Sequence, residues 1–390
     1  QMSPDGPITD LDALVAGPDW SGRALDRRTF LRSAGILGGA FGLAGIAAAC
    51  GSSSSSNSTA TTAATTAGTT AGTSAATTAT TAGDSTSSGA SSIGAGKTIA
   101  VSLNVANAYA AYVAQGVLEA TKGTEYKFRT VINNADASTE LTNIENLISS
   151  GIAGLVILPV NADTAAKGAQ LCAAKGIAYG NALWPGKSSA DKYFTGVAFV
   201  DSTKGGQLIG EYLKAHAKPG PTIVVQGILG QGFSEFIDKG LNSAIAGSGF
   251  DVVVRQQGFY SRTMATNIVQ TGLAAHPSTT AIVTYAASMS DGVAQFLKSR
   301  KLTHITHVAS DCDEELTMWL KTPYCNATRY YSAAQSGLLA AKAVRAKLEG
   351  GTPIFLNLLT EEMVTGATID QVTAADPFDY PAFASQTASL

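Results

Sequence analysis

From Lys97 onward the chain alternates short β-branched or apolar runs with longer segments of helical spacing, and no other feature constrains its fold so tightly. The runs are Thr98–Leu103, Phe128–Ile132, Leu155–Leu158, Ile177–Gly180, Thr222–Gln226, Val252–Arg255, Ala281–Thr284 and His304–Ala309. Between them lie amphipathic stretches such as Ala137–Ser149 and Gly206–Ala217. Continuous apolar strands separated by helices predict βαβ units, with parallel sheets covered on both faces. Residues 97–390 exceed what one core usually organises, so two doubly wound lobes are expected, breaking near Asp201. In open α/β sheets ligands bind at the carboxyl edges of the strands, so function is sought in the loops that follow them.

The first 96 residues are a different material. Arg27-Arg28 with Phe30 and Leu31 precedes a Gly/Ala-rich apolar run from Ser33 to Ala49, too short and too weakly apolar for a permanent span. The pattern resembles a twin-arginine export signal, with a Sec signal on a long leader as the alternative. Ala47-Ala48-Ala49-Cys50 resembles a lipobox, which would make Cys50 a lipid attachment site. An ordinary signal-peptidase site, giving a secreted chain, is the other reading. Residues 51–96 are almost wholly Ser, Thr, Ala and Gly and cannot bury enough apolar surface to order. Such a tether reaches about 40 Å as a random coil.

Composition removes several function classes. A net charge of -3, with 14% charged residues and scattered Lys and Arg, gives no footprint for nucleic acid. Cys50, Cys172, Cys312 and Cys325 show no metal-binding spacing. A helix over Asp313–Lys321 would carry its far end about 12 Å away at a 1.5 Å rise, so no bridge between Cys312 and Cys325 is expected unless the chain doubles back.

His304 and His307 fall three apart on an expected strand, on opposite faces, and are read with His216 and His276 as surface or core residues rather than metal ligands. Gly227–Gly232 follows a strand but has neither the P-loop ending nor Gly-x-Gly-x-x-Gly spacing, so it is read as a tight turn. No nucleophile elbow or nucleophile–base set is present, and the expectation is a binding protein with no enzymatic activity and no cofactor.

What remains is a set of aromatic and polar residues at strand ends: Asn107, Tyr109, Trp184, Glu235, Tyr260, Asp311 and Tyr331. Sugars present C–H faces that stack on rings and hydroxyls that need paired donors and acceptors, which this mixture supplies. Taken singly, a Tyr or Trp also serves in cores, and an Asp after a strand also caps helices.

The order of segments from Lys97 to Gly351 resembles the periplasmic sugar-binding proteins of the ribose-binding type. The resemblance is carried by Asn107-Ala108-Tyr109, Asn134-Ala135-Asp136 with Glu140-Leu141, Leu155–Pro159, Asp201-Ser202 with Gly205-Gly206, Gln226-Gly227-Ile228, Ala275-His276-Pro277, Asp291-Gly292 and Ser310-Asp311. It implies the type I periplasmic binding protein fold, with one lobe from 97–201 and 332–358, the other from 202–331 and 359–390, and a ligand cleft between them.

The resemblance also implies a receptor for a small sugar, polyol or sugar-like solute that closes by a hinge and docks, as a monomer, on an ABC permease. It would sit outside the cytoplasmic membrane of a bacterium, tethered through Cys50. Asn107, Tyr109, Tyr260 and Asp311 fall at ligand-contacting positions of that family. Leu183-Trp184 stands where it has an Asp-Arg pair, Glu235 stands where it has an arginine, Ala286-Ala287 replaces an Asn-Asp pair, and Tyr331 replaces a Gln. The implied pocket is less charged and more aromatic, suiting a polyol, a deoxy- or methylated sugar, or a ligand with an amine or ring N–H better than ribose. A sensor feeding a chemoreceptor or kinase uses the same fold. A repressor would carry a helix-turn-helix where this chain has its signal and tether.

Overall fold

The computed structural model describes residues 93–183 and 188–375. The signal segment, Cys50, the tether up to residue 92 and Trp184 lie outside the described residues.

Two six-stranded sheets form the frame. The first contains β1 (Thr98–Leu103), β2 (Lys127–Ile132), β3 (Gly154–Leu158), β4 (Ala178–Leu183), β5 (Gly196–Phe199) and β11 (Leu356–Leu358), in the order β11-β5-β4-β3-β1-β2. All its neighbours pair in parallel. The second contains β6 (Pro221–Gln226), β7 (Asp251–Gln257), β8 (Ala281–Thr284), β9 (Thr306–Ser310), β10 (Ala327–Tyr330) and β12 (Glu362–Val364), in the order β12-β10-β9-β8-β6-β7. Only its edge strand β12 runs antiparallel, against β10.

Helices cover both faces of each sheet. Those of the first lobe are α1 (Ala108–Thr121), α2 (Ala137–Ser149) and α3 (Ala162–Ala173). The second lobe has α4 (Ser202–His216), α5 (Phe233–Ile245), α6 (Arg262–Ala275), α7 (Ala287–Ser299) and α8 (Glu314–Leu320). The chain then returns through α9 (Ala333–Leu348) to the first sheet and ends its described part with α10 (Ile369–Ala375).

The two-sided covering explains the apolar runs. In β1, Ile99, Val101 and Leu103 enter one buried cluster with α1 and α9, while Ala100 enters the cluster on the opposite face with α2 and α3. Successive side chains of a strand point to opposite faces, so a strand buried on both must be apolar at every position. Asn107, Asp136, Asn161, Asp201, Ser261, Asp313 and Ser332 each cap the following helix with a side-chain oxygen, which explains why helices begin directly at the strand-end loops.

The doubly wound parallel-sheet architecture agrees with the sequence reading, with local differences. His304 precedes β9 instead of lying on it, and is exposed. His307 is a core residue: its ring nitrogens meet the Thr284 hydroxyl at 3.0 Å and the Tyr324 carbonyl at 2.9 Å. Burial pulls its pKa down to about 4. β5, β10, β11 and β12 have no counterpart among the expected runs; each is three or four residues long and gains its pairing from the neighbouring strand.

Cys172, Cys312 and Cys325 are buried free thiols, in line with the unbridged expectation. Among the described residues no helix is long and apolar enough to cross a membrane, and no group of three or more His, Cys, Asp or Glu could hold a metal ion.

Candidate functional site

The strand ends of both lobes border one cavity of about 30 Å³. From the first lobe come Asn104 after β1, Asn107 and Tyr109 at the start of α1, Leu158 closing β3 and Pro159 after it, and Leu183 closing β4. The second lobe contributes Gln231 and Phe233 after β6, Tyr260 after β7, Ala286 after β8 and Asp311 after β9. Tyr331 lines the cavity from the segment that crosses back between β10 and α9.

Each polar group is held by its local backbone. Asn107 spends its side-chain oxygen on the Ala110 N–H at 2.9 Å, capping α1, which leaves its amide nitrogen as a donor. Asn104 likewise accepts from the Val105 N–H at 2.8 Å. Tyr109, two residues into α1, sets its ring edge-on to Tyr331 at 5.9 Å, and its buried hydroxyl has no hydrogen-bond partner among the described residues. Burial, then the nearby Asp311, raise the pKa of that phenol far above the ordinary tyrosine range.

Asp311 leaves β9 with a left-handed φ of 56°. Its backbone N–H donates to the Arg329 carbonyl at 2.8 Å, and its side chain accepts the Ala287 N–H at 2.5 Å. Asp311 is 6% exposed, and its pKa is driven well above the ordinary carboxylate range, first by burial. The Ala287 N–H and the Arg329 charge oppose the shift, while Asp313 adds to it. Behind it, Asp313 and Asp291 sit together with raised pKa values, from burial and from their neighbouring acids.

Tyr260 follows Phe259, and both have left-handed φ values, 57° and 53°. This turn lays the Tyr260 ring over Gly227, where a Cβ would stand 2.3 Å from the ring; only glycine leaves the space. The Tyr260 hydroxyl donates to the Gln231 side-chain oxygen, which leaves the buried Gln231 amide nitrogen without a partner among the described residues. A site results with one carboxylate, several amide donors and aromatic walls, a pattern that fits neighbouring hydroxyls acting both as donors and as acceptors.

Five of the seven residues singled out from the sequence therefore line one cavity: Asn107, Tyr109, Tyr260, Asp311 and Tyr331. Trp184 lies outside the described residues. Glu235 does not line this cavity: in the first turn of α5 it folds back and accepts the Gly230 N–H at 2.5 Å, bracing the turn after β6. From the same turn and the start of α5, Gln231 and Phe233 line the cavity. The Gly230-Gln231-Gly232-Phe233 spacing held the signal for this, since both glycines take positive φ and turn the intervening side chain out of the local path. The sequence reading also passed over Arg329, which is wholly buried beneath Tyr331.

Comparison with known proteins agrees with this fold. Over 228 residues the chain is 25% identical to the D-ribose/D-allose-binding protein of Pseudomonas aeruginosa, covering 57% of this chain and 71% of that protein. The periplasmic binding protein of the arabinose ABC transporter from Shewanella sp. ANA-3, solved with arabinofuranose, superposes with a TM-score of 0.66 at 19% identity, over 74% of this chain and 98% of its own. An ABC transporter solute-binding protein from Mycobacterium smegmatis, solved with glycerol, gives 0.64 at 20% identity, over 70% and 96%. Residues 99–352 match the periplasmic binding protein domain family, a span running from β1 to just past the end of α9, and this chain belongs to that family.

Proposed function

We propose that this chain is the solute-binding component of an ABC importer, a non-enzymatic receptor that closes its two lobes on a small sugar or polyol and presents it to a permease. The observation that carries the reading is the cavity itself: among the described residues it is lined by one carboxyl group, Asp311, by Asn104 and Asn107 of the other lobe, and by Tyr109, Tyr260 and Tyr331. A neutral polyhydroxylated solute would engage both lobes at once, so its binding energy would favour the closed form over the open one. Relatives solved with arabinofuranose and glycerol support the same solute class. Attachment through a lipid on Cys50, after twin-arginine export, completes the proposal; Cys50→Ser would then release the protein from membranes.

A thermal-shift screen of the full chain against pentoses, hexoses and polyols tests the reading. A true ligand at about 100 times its Kd stabilises the native state by about 2.7 kcal/mol. A screen in which no sugar or polyol moves the melting temperature would overturn the solute class. Turnover of any of these compounds would overturn the non-enzymatic reading.

A further inference from the structure

Arg329 is the largest fully buried side chain of the described residues, and its neighbours tie together every segment that passes between the lobes. Its Nε donates to Glu361 at 2.5 Å, with the two side chains 0% and 2% exposed. Glu361 lies between β11 of the first sheet and β12 of the second. Gly205, near the start of α4 after the first crossing, makes room: a Cβ there would stand 2.0 Å from the Arg329 Nε. The guanidinium lies 4.6 Å from the ring centre of Tyr331, in the second crossing, and 5.5 Å from that of Phe233. The Arg329 carbonyl also receives the Asp311 N–H at 2.8 Å.

The pair is a poor candidate for stabilisation alone. Its Nη2 is buried without a hydrogen-bond partner among the described residues, and buried ion pairs are commonly no more stable than well-packed apolar substitutes. What the arrangement does provide is a fixed cation against two cavity walls and beside the carboxyl group that lines the cavity.

We infer that Arg329, anchored by Glu361, is a positioning residue of the cleft: it stacks Tyr331 against Tyr109 and keeps the Asp311 carboxylate available to accept hydrogen bonds from a ligand. The inference rests on the solute-binding reading above.

The electrostatic surroundings of Asp311 come from every packed element. Asp313 and Cys312 follow it in the loop, Asp291 faces it from α7, Tyr109 from α1, Tyr260 from the loop after β7, and Arg329 and Tyr331 from β10 and the crossing. Asp313 and Asp291 oppose ionisation, and Arg329 is the cation among these groups that favours it.

The test uses the full chain with Arg329→Met/Glu361→Leu, which removes both charges and avoids stranding one in the core, and Arg329→Lys as the conservative variant. Two quantities are read: the titration of the Asp311 carboxyl by carbon-13 NMR without ligand, and affinity for glycerol and D-arabinose as a function of pH. In the double variant the Asp311 midpoint should rise by at least about one pH unit, the size of effect expected from losing a neighbouring opposite charge. Affinity at neutral pH should fall about tenfold and recover in part as pH rises and the carboxyl ionises. Lys at 329 should restore most of the titration but not the affinity, because an ammonium lacks the planar stacking face.

An unmoved Asp311 titration in the double variant overturns the inference, as does a shift that Lys fails to reverse. If neither probe binds the parent chain while the titration shifts as described, the choice of solute is wrong and the hold of Arg329 on Asp311 stands.

Discussion

Two buried carboxyl groups, Glu140 of the first lobe and Asp311 of the second, are treated in opposite ways. Glu140 of α2, in the first lobe, is wholly buried, accepts the Val160 N–H at 3.0 Å and receives the Thr164 hydroxyl. It ties α2 to the loop after β3 and to the start of α3, away from the cavity lining. Asp311 of the second lobe accepts one backbone N–H and lines the cavity. A satisfied buried carboxylate is a structural staple, whereas one left short of partners beside a cavity has capacity to bind something else.

Breaking the staple should have the largest effect. Glu140→Ala leaves the Val160 N–H and the Thr164 hydroxyl without their partner, and should destabilise the protein by about 3 kcal/mol in denaturant unfolding. The protein that remains folded should bind ligand with unchanged affinity. Burial raises the Glu140 pKa to about 7, above its unfolded value, so its contribution is fully present below about pH 4.5 and is lost as pH rises toward 7. Glu140→Gln should flatten that slope; a slope unchanged in Glu140→Gln would mean that another buried acid produces it.

Asp311→Ala should act on the other side of the comparison. Affinity should fall more than tenfold in calorimetry, consistent with about 1.5–3 kcal/mol for hydrogen bonds to a charged group, with little loss of melting temperature. Unchanged affinity would remove Asp311 from the binding site. Tyr109→Phe is a finer probe, since the hydroxyl it deletes has no hydrogen-bond partner among the described residues. Stability should hold or rise slightly, and ligand affinity should drop by about 1 kcal/mol if that hydroxyl meets the ligand. Glu235→Gln should have the smallest effect on binding, under about 0.5 kcal/mol, because the amide oxygen can still accept the Gly230 N–H. A large loss would return Glu235 to the ligand contacts.

Some of these assignments could be read in advance and others could not, for identifiable reasons. β1 and β8 appear in the sequence with the bounds they have in the fold, since a strand buried on both faces declares itself by unbroken apolar character. β10, Ala-Thr-Arg-Tyr, carries no such mark, and its arginine reads as a surface residue. Arg329 is buried only because Glu361, distant in sequence, returns beside it. Asn107, Tyr109, Tyr260 and Asp311 were visible as polar or aromatic residues where strands end, a position that α/β topology assigns to ligands. Glu235 is not decided by sequence for a local reason: a side chain in the first turn of a helix can satisfy a preceding N–H, as it does at Gly230, as readily as face a cleft.

The sequence by itself determined the βαβ alternation, the division into two lobes and the loops where a ligand would be met, because strand periodicity, helix caps and glycine turns act over a few residues. Which loops share a cavity, and which charge lies buried beneath them, was decided only by the tertiary structure. Those outcomes depend on the three crossings between the lobes, which bring Asn107, Gln231, Asp311 and Tyr331 to one place from across more than 200 residues of chain. Contacts over that separation come from packing, and no local pattern in the chain encodes them.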